Sequence, residues 1–354
     1  MHITPLPILG NSSKILFRQT SILDYSHDLY KTFSHERYYG SHQFNSPVLH
    51  IKDIDLIKKI TVKSFDQFVD RNGSITEDVD PLIGKSLLNL KGQRWRDMRA
   101  ILSPSFTSSK MKMMFELISE CAKEFTKYFE KQNKTLFEVE MKDIFTRYTN
   151  DAIATVAFGF KCNSVENENN EFYKMAKEAT KFSGTAFLKF FLYSCIPKLS
   201  KFLKLRLIPT PAATFFRRIV KDTLNKREKE GLIRPDMIHL LMEARTGIIV
   251  NDDSYVPDAG FAATTESKIL HSETKPKLKL SDEDITAQAL IFISGGFETS
   301  STLMSFIAYE LAMNEEIQKK LQMEIDKTLY KCNGKLTYEA VHKMKYMDMV
   351  VSET

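Results

Sequence analysis

The sequence predicts a mostly α-helical fold with a small β element near the N-terminus. Three observations carry that prediction. Apolar residues recur at i, i+3, i+4 and i+7 through most of 93–330, the period of an amphipathic helix. Strand-like alternation is confined to YYGSHQFNSPVLHIKD at 38–53. Strands do not alternate with helices, which excludes a doubly wound sheet. The 354 residues are 43% hydrophobic and 27% charged, an ordinary globular composition able to bury a sizeable core.

Taken in order, PLPILG (5–10) is a stiff Pro-x-Pro-x-x-Gly turn, and residues 1–10 read as a proline-rich hinge. MHITPLPILGNS lacks the basic start and apolar core of a signal peptide. ILDYSHDLYKTF (22–33) has helical spacing, and 38–53 reads as strand, turn, strand with Asn45 to Pro47 as the turn. DIDLIKKITVK is a short helix, and 70–92 mixes Gly, Pro, Asp and Leu as an irregular loop. Helices are expected at about 93–102, 107–131, 137–160, 170–185, 211–229, 235–245, 282–313 and 315–330. Residues 246–280 are polar and aperiodic, an exposed loop. No stretch reaches the roughly 20 apolar residues of a membrane span.

The net charge of +5 is mild and spread along the chain, which does not argue for nucleic acid. Cys121, Cys162, Cys195 and Cys332 are widely spaced, with no CxxC and no metal-ligand pattern, as in a reduced intracellular compartment. No metal-ligating residue is assigned.

The longest predicted helix is interrupted by FISGGFETSSTLMSF (292–306). Gly295 and Gly296 each cost about 1 kcal/mol relative to Ala in a helix interior. Ser281 and Asp284 form a capping box, and a helix of about 32 residues would run roughly 48 Å. Phe292, Gly295, Gly296, Thr299 and Leu303 share one face, where two missing side chains open a groove for a flat object. Thr299 can bond back to the Gly295 carbonyl, and Glu298 beside it can exchange protons. A glycine pair alone is more often a device for tight helix packing, with Glu298 on a solvated edge; the full string of small residue, Gly, acid, Thr and Ser is much more specific.

GQRWRDMRAILSPSF (92–106) holds the only Trp. Trp95 and Arg99 are i, i+4 and share a helix face, where an indole N–H and a guanidinium make a clamp for a carboxylate. The plain alternative is a packed Trp beside a solvated Arg. Lys91, Arg94 and Arg96 add a compact basic surface.

Together these strings resemble a microsomal cytochrome P-450, a haem-thiolate monooxygenase, most closely the insect xenobiotic-oxidising group. GQRWRDMRAILSPSF is similar to helix C of that family and SGGFETSS to the oxygen-binding signature of helix I. PLPILG is similar to the hinge after the membrane anchor. RPDMIHLLMEAR (234–245) and YEAVHKMKYMDMVVSE (338–353) resemble the stretches flanking helix I. The resemblance implies a single cytochrome P-450 domain over 1–354, holding haem b with its iron. It implies electrons from NADPH through a partner reductase, dioxygen, and an apolar small-molecule substrate. It further implies a membrane surface, on the cytoplasmic face of the endoplasmic reticulum. Glu298 and Thr299 match the proton-relay pair, Gly295 and Gly296 the room above the iron. Trp95 and Arg99, with Arg71 in FVDRNG, match propionate partners. Substrate contacts are expected from 70–92 and from the aromatic, basic stretch 182–209, which also suits a membrane surface. Glu353 begins the family's Glu-x-x-Arg, and none of the four cysteines sits in a Phe-x-x-Gly-x-Arg-x-Cys-x-Gly loop. The expectation is therefore an N-terminal fragment without anchor or thiolate loop, inactive alone, the alternative function being that of a dead fragment or pseudogene product.

Overall fold

The computed structural model describes all residues except 1–2, 45, 72–74, 133–135, 137, 182–188, 190–191, 194–196, 235 and 247–278. It is mostly helical with a single two-stranded sheet among the described residues. In chain order the elements are α1 (Ser13–Leu16), α2 (Ile22–Thr32), β1 (Tyr38–Gln43), β2 (Ser46–Ile51), α3 (Ile54–Lys58) and α4 (Pro81–Gly84). Then come α5 (Gly92–Leu102), α6 (Ser108–Glu130), α7 (Met141–Ile153), α8 (Glu171–Thr180) and α9 (Pro197–Phe202). The last are α10 (Thr210–Glu230), α11 (Met237–Thr246), α12 (Asp282–Met313), α13 (Glu315–Lys331), α14 (Tyr338–His342) and α15 (Lys345–Glu353). The chain groups into two compact units, one of 1–84, 88–92 and 182–207, the other of 85–87, 93–181 and 208–354.

In the first unit β1 and β2 pair antiparallel, with Gln43 opposite Ser46 and His42 opposite Pro47. The turn is therefore two residues long, and Pro47 lies in the strand rather than in the turn. Phe44 reaches its place with φ +54°. Phe33, Tyr39 and His50 stack in a ladder with ring centroids 4.8 and 4.6 Å apart. The Pro-rich segment bridges Leu6 to Gly10 and Gly10 to Gln43, so it adds to the hairpin edge. Gly10 is required there: its φ is +58°, and a Cβ would strike the His42 and Phe44 carbonyls. The stretch expected to be irregular contains α4. Of the aromatic stretch at 182–209, residues 182–188, 190–191 and 194–196 lie outside the described residues, as does nearly all of the loop at 246–280.

The second unit is built on α12, which packs most extensively on α7. α7 begins at Met141 rather than 137, where Glu140 caps it by accepting from Asp143 N, and it ends in a π turn, Ala154–Phe158. Gly159 closes that turn with φ +79°, because a Cβ there would meet the Arg227 guanidinium and the Asp236 carboxylate. Arg227 donates to both Asp236 oxygens at 2.6 and 2.5 Å, and both residues are buried. Phe158, Phe172, Phe215 and Phe216 fill the space between α7, α8 and α10, with centroids of neighbouring rings 5.2 to 6.2 Å apart. α12 alone among the described helices is long and apolar enough to cross a membrane by length and composition. The polar side chains Asp282, Glu283, Asp284 and Gln288 at its start are matched by partners from the same unit.

Candidate functional site

α12 starts where predicted. Ser281 accepts from Asp284 N at 3.2 Å, and Asp284 accepts from Ser281 N at 2.9 Å, completing the capping box. Asp282, Glu283 and Asp284 set three carboxylates at the positive end of the helix dipole. Arg217 grips Glu283 through Nη2 at 2.6 Å and Nε at 2.9 Å, and Arg245 meets Asp282 at 2.7 Å.

The glycine pair divides its work. An added Cβ at Gly295 would meet nothing within 4 Å, so the backbone there borders open space. At Gly296 a Cβ would collide with Ile153 of α7. This corrects the expectation that both glycines open one groove: Gly295 opens it, and Gly296 lets α7 approach. Thr149 of α7 donates to the Phe297 carbonyl at 2.9 Å across the same contact.

Thr299 donates to the Gly295 carbonyl, as the spacing predicted. Glu298 and Thr299 are both exposed. Glu298 meets Lys142 Nζ at 2.9 Å, and that ammonium also donates to Ser301 Oγ at 2.9 Å and Thr302 Oγ1 at 2.6 Å. Sequence reasoning missed Lys142, because its partners lie more than 150 residues away.

On α5, Trp95 is 8% exposed and Arg99 half-buried, one turn further along. The two motifs meet at their ends: Phe106 stacks on Phe292 with centroids 5.6 Å apart and planes 8° from parallel. Arg71 belongs to the first unit, on an exposed stretch. Cys121 and Cys162 are half-buried thiols. Burial raises Cys121 and pushes Cys162 up to about 12, so neither is poised as a thiolate. Cys332 caps α13, and Cys195 lies outside the described residues. Among the described residues no group of three His, Cys, Asp or Glu could hold a metal ion.

The fold is thus mostly helical, and its longest helix exposes bare backbone at Gly295. The sequence profile of cytochrome P450 matches residues 2–354. Cytochrome P450 9e2 of Blattella germanica is 44% identical over 99% of this chain and 66% of its own length. Cytochrome P450 9c1 of Drosophila melanogaster is 37% identical over 100% and 66%, and cytochrome P450 6j1 of Blattella germanica 33% identical over 100% and 65%. The chain thus spans about 66% of the length of these curated relatives. It belongs to the cytochrome P450 family.

Haem is the cofactor of this family, and two local features bear on it. Gly295 offers backbone with open space before it, and α5 offers an indole and a guanidinium on one face. The described cysteines fit packing roles.

Proposed function

We propose that this protein serves a haem-dependent monooxygenase, inserting one oxygen atom of dioxygen into an apolar small molecule and drawing electrons from NADPH through a reductase. Haem b, when bound, supplies the activation of dioxygen. The chain's own residues bind, orient and move protons. Trp95 Nε1–H and the Arg99 guanidinium would hold a propionate through charge-assisted bonds. Gly295 keeps its face clear, and Gly296 holds α12 against α7 so that the gap keeps its shape. Thr299, parked on the Gly295 carbonyl, leaves its oxygen free to accept from a water in the gap. Glu298, exposed to solvent, supplies protons to that water. Exposed Lys91 and Arg94, with Arg96, are the contacts for an acidic reductase surface. The setting is the cytoplasmic face of the endoplasmic reticulum, and the substrates are foreign apolar compounds.

The observation that carries this reading is the open space at Gly295 beside the Thr299 hydroxyl. In the haem-loaded enzyme, Thr299→Ala should leave the carbon-monoxide difference spectrum unchanged while hydrogen peroxide formed per NADPH rises several-fold. NADPH use that stays coupled to product in that variant would overturn the assignment.

A further inference from the structure

Gln288 is wholly buried inside the apolar run ITAQALIF. A buried amide must be satisfied at both ends. Its Nε2 donates to the Lys85 carbonyl at 2.7 Å, and its Oε1 accepts from Leu87 N at 3.0 Å. One side chain thus offers the segment 85–87 the pair of bonds a neighbouring strand would offer. A turn earlier, Asp284 meets Lys85 Nζ at 3.2 Å and Arg94 Nη2 at 4.0 Å. A turn later, Phe292 stacks on Phe106.

Asp284, Gln288, Phe292, Gly295 and Thr299 are spaced 4, 4, 3 and 4 residues apart, a single stripe along α12. Three consecutive turns of that stripe hold Lys85, Leu87, Arg94 and Phe106, and the next two members are exposed. An ion pair on a flexible lysine swivels, and stacked rings slide. Only Gln288, with two opposed bonds to backbone, fixes position along the axis, about 10 Å from Gly295 at 1.5 Å per residue.

We infer that Gln288 is a positioning residue: it sets the height of α5 along α12, and so the place of Trp95 and Arg99 relative to Gly295 and Thr299. What those two residues hold rests on the haem reading above. The test compares haem-loaded wild type, Gln288→Leu, Gln288→Glu, Arg99→Ala and the Gln288→Leu/Arg99→Ala double variant. The measurements are amide hydrogen exchange at Leu87 and the rate of haem loss to excess haem-free myoglobin. Gln288→Leu should speed exchange at Leu87 and haem loss about tenfold each, with the double variant losing haem no faster than Arg99→Ala. Gln288→Glu keeps the Leu87 bond and loses the donor to Lys85, so it should fall between, and it decides the matter if the leucine variant does not fold. Faster exchange with unchanged haem loss would overturn the inference while the Arg99 clamp stands, as would multiplied effects in the double variant. Unchanged haem loss in Arg99→Ala would overturn the clamp and this inference with it.

Discussion

Asp284, in the first turn of α12, and Asp151, in the last turn of α7, are 8% and 7% exposed, and burial drives both carboxyls upward. They end on opposite sides of the ordinary value. At Asp284 the push of burial is outweighed by the Ser281 hydroxyl and amide and by the Lys85 ammonium, so its carboxyl is lowered. Asp151 accepts from Ser164 N at 3.1 and 3.0 Å, Ser164 Oγ at 2.6 Å and Asn150 Nδ2 at 3.2 Å, all neutral donors, and stays raised. Asp151 has no fewer hydrogen bonds than Asp284. At Asp284 the Ser281 hydroxyl and amide lead the lowering and the Lys85 ammonium adds to it, whereas at Asp151 deeper burial prevails over neutral donors alone. The start of α12 is thus an ionic mount, and the end of α7 a neutral brace.

The largest test adds a third acid. Asp236 is 0% exposed and held by the Arg227 fork, with His239 N donating at 3.0 Å. Arg234 Nε also lies 3.6 Å from Asp236. The Arg227→Ala/Arg234→Ala double variant should therefore cost about 3–5 kcal/mol in urea unfolding, the expense of stranding a buried charge. A loss below about 1 kcal/mol in it would mean that neutral donors suffice, and the contrast between mount and brace would fail.

Next in size is the sign of the pH dependence. A lowered carboxyl contributes stability above its unfolded value of 3.8 and loses it as pH falls through the lower folded value. Asp284→Asn should therefore cost about 1.5–3 kcal/mol at neutral pH, the range for a hydrogen bond to a charged group, and progressively less below about pH 4. A raised carboxyl does the reverse: its contribution is full below 3.8 and lost as pH rises through the higher folded value. The gap between wild type and Asp151→Asn should narrow as pH rises. Parallel slopes in unfolding series from pH 3 to 8 would break the comparison.

The smallest test moves the contrast from charge to space. Gly295→Ala should stabilise α12 by about 1 kcal/mol, since its Cβ meets nothing. Gly296→Ala should lose that gain against Ile153 and show no net stabilisation. Equal melting shifts in the two variants would mean that α7 yields freely.

Much of this was legible in the sequence. The capping box, the length of α12 and the return bond from Thr299 follow from local spacing, which a chain cannot hide. The partition of Gly295 from Gly296 was not, because it depends on Ile153 approaching from another helix. Gln288 left one signal, a polar residue inside ITAQALIF, and its meaning required partners about 200 residues away. Lys142 left none, being one lysine among many until folding brings it to Ser301 and Thr302.

A rod touched at three points along one line resists tilt, and one firm point among them stops it sliding; what remains is roll about that line. Asp284, Gln288 and Phe292 are those points, with Gln288 the firm one. Lys142 reaches α12 from α7, away from the pinned line, and holds Glu298, Ser301 and Thr302. Its grip removes the roll. Roll of α12 about that line therefore requires Lys142 to release Glu298, Ser301 and Thr302 together.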